Sequence, residues 1–258
     1  MKTINKYIGL PFFLLTLLYG SNPTDWKLLD SLDGKYYKND ELFTGVSVKK
    51  LSSGNLKAEF KNGLPHGTWE TSNSKGKVLI KGNYVNGELE GKWEQWYENG
   101  NREILANFYR NEYHGKYTEW YESGKKAMKT KYKNGLEDGL YTEWYENGMK
   151  AVRTTYKEGS IQKNLTTFGR YEEWHENGNK SLNIEYKNGK KNGLWIQWYE
   201  NGNKEMAIEY VDGVAWGTAK FWFEDGTLQG EGVIRDEIPG GGWIMEEMGG
   251  EKTFFNGD

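Results

Sequence analysis

The sequence predicts an all-β protein: an elongated antiparallel meander of stacked β-hairpin repeats, about 24 residues per unit, in a single-layer twisted sheet. Three observations carry this. Glycines recur in phase at Gly76, Gly100, Gly124, Gly148, Gly178, Gly202, Gly226 and Gly250, in steps of 24 with a single step of 30 after Gly148. A second series, Gly67, Gly91, Gly115, Gly139, Gly169, Gly193, Gly217 and Gly241, keeps the same steps. Between them, residues alternate with period two, as in Ile104-Ala106-Phe108, Met128-Thr130-Tyr132 and Val152-Thr154-Tyr156, which is the period of a strand. Composition agrees. Only 36% of residues are hydrophobic, but 16% are aromatic, and 34 glycines stand against 4 prolines, as expected of short aromatic strands joined by many turns.

Along the chain, residues 1–20 place Lys2 and Lys6 before an apolar run from Ile8 to Gly20. That run is short for a bilayer span and has the layout of an export signal peptide, with an uncleaved N-terminal anchor as the alternative. The expected location is therefore the periplasm, cell envelope or extracellular space. Residues 21–44 read as an N-terminal cap and 45–258 as the repeat domain, opening on a weaker unit at Gly45 and Gly54. The 30-residue step holds a six-residue insertion within "KEGSIQKNLTTFG", 157–169. The atypical ends, 22–44 and 228–258, are expected to cover the exposed sheet edges.

Within a unit, Asn99-Gly100, Asn147-Gly148, Asn177-Gly178 and Asn201-Gly202 read as type I′ hairpin turns, with Gly124 and Gly226 in weaker versions. A strand such as 93–97 precedes the turn and 102–108 follows it. A two-residue turn sets Tyr97 opposite Arg102, Gln95 opposite Ile104 and Trp93 opposite Ala106, on a mostly apolar face. Trp96 then points to the other, mostly polar face, among Lys92, Glu94, Glu103 and Leu105. A bulge near Trp96-Tyr97 would change this assignment. A second turn, Tyr-Lys-Asn-Gly at 132–135 and 186–189, leads to the next hairpin.

Little in the sequence points to catalysis. The net charge of −3 comes from interleaved Lys, Arg, Asp and Glu, so there is no basic footprint for nucleic acid. The absence of cysteine excludes disulfides, thiolate metal sites and a cysteine nucleophile. His66, His114 and His175 form no zinc pattern, and the glycines at 240–242 lack the strand–loop–helix setting of a phosphate loop. Glu98, Glu122, Glu146, Glu176, Glu200 and Glu224 are equivalent copies beside the turns, whereas hydrolytic carboxylates act as one differentiated pair. No catalytic residue, metal site or cofactor is expected.

The candidate binding residues form an aromatic ladder: Trp96, Trp120, Trp144, Trp174, Trp198 and Trp222. Such a ladder stacks on sugar rings, choline groups or a partner chain, or it packs one unit on the next. Packing is preferred, since a stripe repeated in every unit is first a folding device. The next slot, Tyr97, Tyr121, Tyr145, His175, Tyr199 and Phe223, is expected to pack over the paired Lys or Arg stem.

The recurrent "WYENGxKxxxxxYKNGxxxG" pattern resembles the MORN-variant repeat, of the kind found in bacterial YwqK-type antitoxins. It is carried by Glu-Asn-Gly plus Lys at 146–150, 176–180 and 200–204, by the downstream Tyr-Lys-Asn-Gly, and by Gly-x-Trp at 67–69, 91–93 and 193–195. The resemblance implies hairpin repeats that associate with proteins or, in some members, membranes. The antitoxin label implies a cytoplasmic inhibitor, at odds with an export signal. The expected function is a non-enzymatic exported repeat protein presenting an aromatic-rich β surface to an unknown protein partner, antitoxin- or immunity-like. The alternative is a cell-envelope module binding glycan, choline-like or lipid headgroups.

Overall fold

A computed structural model describes residues 22–161, 169–238, 242–247 and 252–255. Residues 1–20, expected to be an export signal or anchor, lie outside the described residues, as does most of the six-residue insertion. Among the described residues the only helix is one 3-10 turn, Trp26–Leu28, and everything else regular is β. The chain divides into two compact units, Met1–Glu88 and Leu89–Asp258.

In the first unit, Gly45–Leu51, Gly54–Lys61, Leu64–Asn73 and Val78–Val85 form an antiparallel meander. The N-terminal segment pairs along this meander, Thr24–Asp25 running parallel to Gly45–Leu51 with Thr24 opposite Ser47. It also covers a face. A small sheet of Asp30–Leu32, Lys35–Lys38 and Glu41–Leu42 delivers Tyr36. Tyr36 joins Trp26, Leu29 and Trp69 over a core of Phe43, Ala58 and Phe60. Trp26 meets Tyr36 and Phe60 edge-on at 5.2 and 5.3 Å. Edge-to-face rings of this kind supply the core that two hairpins alone lack.

The second unit repeats one hairpin. Its strand pairs are Gly91–Trp96 with Arg102–Tyr109, Gly115–Trp120 with Lys126–Lys133, Gly139–Trp144 with Lys150–Lys157, Gly169–Trp174 with Lys180–Lys187, and Gly193–Trp198 with Lys204–Val211. Each second strand pairs with the next unit's first strand, as Leu105 with Thr118 and Lys129 with Thr142. The insertion leaves this untouched, since Arg153 still meets Glu172. The C-terminal segment continues the meander rather than covering it: Leu228–Ile238 pairs with Val214–Trp222, then Gly242–Glu247 and Lys252–Phe255 follow.

The two Asn-Gly turns differ, and the type I′ expectation fails at the first. At Asn99-Gly100 only the glycine has positive φ, +99°. The loop is Tyr97–Asn101, closed by Gly100 N donating to Tyr97 O and Tyr97 N to Asn101 O, both 2.9 Å. Asn99 stays out of the left-handed region because its Oδ1 accepts from Asn101 N at 2.8 Å, a local turn of its own. The type I′ turns lie at the other end of the unit, where both residues have positive φ: Asn134-Gly135 at 51° and 75°, Asn188-Gly189 at 49° and 77°.

Candidate functional site

A bulge recurs in each hairpin and decides which side chain faces where. Gln95 pairs with Ile104 and Trp93 with Ala106, as expected, but the register then shifts and Trp96, not Tyr97, faces Arg102. The extra residue on the second strand is Glu103, which accepts from Gln95 Nε2 at 2.8 Å on the opposite face from Trp96. The same shift places Trp120 opposite Lys126, Trp144 opposite Lys150, Trp174 opposite Lys180 and Trp198 opposite Lys204.

One face therefore carries tryptophan and cations. Trp96, Trp120, Trp144, Trp174, Trp198 and Trp222 are all half-buried. Three cations that follow turns reach toward the next unit's ring: Arg102 lies 5.6 Å from Trp120, Lys150 5.5 Å from Trp174 and Lys204 5.6 Å from Trp222. The same face holds Lys129, Lys131, Lys133, Arg153 and Lys157 by strand alternation. Buried Glu172 accepts from Lys180 at 2.8 Å and pairs with Arg153 at 3.4 Å. Burial alone would raise its carboxyl, but Lys180 and Arg153 hold it below the usual range. Glu185, in the same depression, pairs with Arg170 at 2.9 Å.

The turn edge is a row of staples. Tyr97 does not pack over its own Arg102 stem, because the bulge removes it from that position. Its hydroxyl donates instead to Trp120 O of the next unit at 2.8 Å. Tyr121 does the same to Trp144 O at 2.6 Å, Tyr145 to Trp174 O at 2.8 Å and Tyr199 to Trp222 O at 2.9 Å. His175 substitutes through Nε2, 2.8 Å from Trp198 O; since a carbonyl only accepts, Nε2 carries the proton. Asn99, Asn147, Asn177 and Asn201 donate from Nδ2 to the carbonyls of Glu122, Glu176, Glu200 and Glu224 at 2.6–2.8 Å. The repeated Glu residues thus serve these contacts through their backbone, and their side chains are exposed. Each such hydrogen bond contributes about 1 kcal/mol.

The other face carries tyrosine and carboxylate. Small second-strand residues lie under first-strand rings: Ala106 opposite Trp93, Thr130 opposite Tyr117, Thr154 opposite Tyr141. Ala106, Thr130 and Thr154 are almost fully buried as a result. Flanking rings close over the row, Tyr117 with Tyr132 at 5.5 Å and Tyr141 with Tyr156 at 5.4 Å. Tyr117, Tyr141 and Tyr171 donate their hydroxyls to Glu119, Glu143 and Glu173, the last at 2.5 Å. Tyr132 donates to Glu137 at 3.4 Å. Sequence reasoning missed this set, although a signal existed. From Gly91 to Trp198, units that open with Tyr have Glu two residues on, and units that open with Trp have Gln: Trp93/Gln95, Tyr117/Glu119, Tyr141/Glu143, Tyr171/Glu173, Trp195/Gln197.

Burial, and then the adjacent carboxylates, push these tyrosines up, Tyr132 to about 12 from the ordinary 10.0. Tyr117, Tyr141 and Tyr171 are raised for the same reasons. A raised folded-state value favours the protonated native form. The stabilisation is complete below the unfolded value near 10.0 and is lost as pH rises through the folded one. Stability to urea is therefore expected to fall between about pH 10 and pH 12, with tyrosinate absorbance appearing together with unfolding rather than before it.

Among the described residues no group of three or more His, Cys, Asp or Glu could hold a metal ion, and no helix is long and apolar enough to cross a membrane. The arrangement is that of a β-hairpin repeat protein. Five segments, 65–86, 89–111, 113–134, 137–158 and 191–212, match the model of the MORN repeat variant. Those five segments are MORN-variant repeats. The hairpin Gly169–Trp174 with Lys180–Lys187 falls outside the matched segments yet has the same pairing and bulge. A comparison with curated proteins gives no match. MORN repeats are in general non-catalytic modules that bind proteins or membranes.

Proposed function

We propose that this protein is a non-enzymatic binding scaffold, exported from the cytoplasm, that offers its repeat faces to a protein partner in an inhibitor- or immunity-like role. The observation that supports this most is the separation of chemistry across one sheet. In the units spanning 115–157, strand lysines and arginines lie on the tryptophan face, while Glu119 and Glu143 lie among tyrosines on the other. Two faces of opposite charge, each studded with rings that have both an apolar body and a polar tip, suit protein recognition. Export rests on the Lys2, Lys6 and Ile8–Gly20 pattern.

A second reading, an envelope module binding glycan or choline-like headgroups, is favoured by the ladder Trp96 to Trp222. The rings interleave with cations there but remain only half-buried. The full chain, immobilised, is expected to retain protein from a native envelope extract, with retention falling as salt rises, and to pass cell-wall glycan unretained. Glycan retention abolished by Trp120→Ala with Trp144→Ala would establish the second reading instead.

A further inference from the structure

One side chain occupies the tyrosine face in a way that defines what else fits there. Lys191 places its ammonium 3.9 Å from the Trp195 ring centre and 4.8 Å from that of Tyr210. The two rings stand 5.6 Å apart. This is a cation held by aromatic faces, a contact that strengthens as water is excluded. Burial pushes the Lys191 ammonium down, as expected of a charge taken from solvent.

The unit that opens at Gly139 has the same slot without the lysine. Tyr141 and Tyr156 replace Trp195 and Tyr210, their rings 5.4 Å apart, and Gly139 pairs with Tyr156 as Gly193 pairs with Tyr210. Two residues before the opening glycine, where the later unit has Lys191, this one has Glu137. Where the later unit has Gln197, this one has Glu143. The slot thus keeps its rings, loses its internal cation and gains two carboxylates. Burial, and more weakly Glu143, push the half-buried Glu137 carboxyl up against the opposing hydrogen bond from Tyr132. Among the described residues no lysine or arginine pairs with Glu137 or Glu143 or lies over Tyr141 or Tyr156.

We infer that the slot formed by Tyr141, Tyr156, Glu137 and Glu143 receives the ammonium of a lysine side chain from a basic segment of a partner protein, seated as Lys191 is seated against Trp195 and Tyr210. This deepens the scaffold reading and rests on it. A primary ammonium suits the slot because it supplies three N–H donors to the two carboxylates while its charge meets the rings. A quaternary headgroup offers no such donors, and its phosphate would meet an acidic face. Tyr–Glu pairs recur at Glu119, Glu143 and Glu173 on every second strand. That spacing is about 10 Å. A polyproline II chain crossing the strands advances about 3.1 Å per residue and returns its side chain to the same side every third residue, so lysines at every third position match successive pairs.

The test uses the full chain, a labelled peptide with lysine at every third position in a Gly/Ser background, and fluorescence anisotropy at low salt. Wild type is expected to bind. Glu137→Lys, which supplies the cation from within as the later unit does, is expected to fold and to weaken binding about tenfold or more. Lys191→Glu, which opens a second slot, is expected to strengthen it several-fold. Glu143→Gln gives the residue the chain already uses at 95 and 197, so it controls for folding and is expected to weaken binding by a smaller factor. No binding by wild type, or equal binding by Glu137→Lys, overturns the assignment. So does retention on phosphatidylcholine vesicles that Glu137→Lys abolishes. If a host protein is captured equally by wild type and Glu137→Lys, the scaffold reading stands and the slot assignment falls; if the lysine peptide binds and no host protein is captured, the reverse holds.

Discussion

Gly54→Ala is expected to cost about 3 kcal/mol or more and to unfold the first compact unit at markedly lower urea. Gly54 has a φ of +155° and pairs with Asn73 across the sheet. A methyl group built there would lie 1.8 Å from Ser72 O and 2.7 Å from both Asn73 Cα and its carbonyl carbon. These are backbone atoms of a paired strand, so no rotamer change relieves the clash, and Leu64–Asn73 would have to part from Gly54–Lys61. The end of that strand is itself tied down, since buried Asn73 accepts from Lys75 N and Lys77 N at 3.0 Å. Gly230→Ala is the matched control. It sits in a strand, opposite Phe221, and a methyl group there meets nothing within 4 Å. Its expected cost is within about 1 kcal/mol. Amide exchange over residues 45–85 should report faster opening in the first variant only, and equal urea midpoints for the two would refute the steric account.

Excising residues 115–138, one whole period, is expected to leave a folded protein, whereas excising 115–126 destroys the order downstream. Removing the whole period joins His114 to Gly139. Every contact across the new junction then finds the same type of partner. Tyr97 meets Trp144 O in place of Trp120 O, Asn99 meets Glu146 O in place of Glu122 O, and Leu105 faces Thr142 in place of Thr118. Stability in such arrays is a sum over units and nearest-neighbour interfaces, so the loss amounts to one unit and one interface. Removing half a period takes out one strand and presents the next strand in the wrong direction for its new neighbour. That breaks the alternation placing Ala106, Thr130 and Thr154 under their rings. Far-UV circular dichroism and urea titration separate the outcomes: a cooperative transition at lower urea for the first, loss of the transition for the second. Equal behaviour of the two deletions would sink the modular account.

The repeat and its strands were legible because both are periodic in the sequence. Glycine phase fixed the units, and period-two alternation fixed which residues pair, so Gln95 with Ile104 and Trp93 with Ala106 follow directly. What failed was local chemistry at the turn. Asn-Gly is a strong type I′ signal, but at Asn99 the side-chain amide has a better use. It closes its own turn with one atom and reaches Glu122 O with another. That demand arises from the neighbouring unit, which pairwise reading of a single hairpin does not include. The tyrosine–carboxylate face was missed for a different reason. Tyr141 and Glu143 are two apart and share a face in any strand, yet a half-buried Glu among aliphatic neighbours such as Met128 and Val152 runs against the usual preference for exposure. Only the hydroxyl of Tyr141 makes that placement tenable.

The hooks along the turn edge all catch forward: each hydroxyl or imidazole belongs to an earlier unit and grips a later one. Such a stack has a vector, and it carries its own stop. Phe223 occupies the place after Tyr199 and lacks the oxygen needed to reach ahead. A duplication inserted between Tyr97 and that ring lengthens the thread without a seam, whereas one appended behind it starts a new thread. Growth of this protein by repeat gain is therefore channelled into its interior.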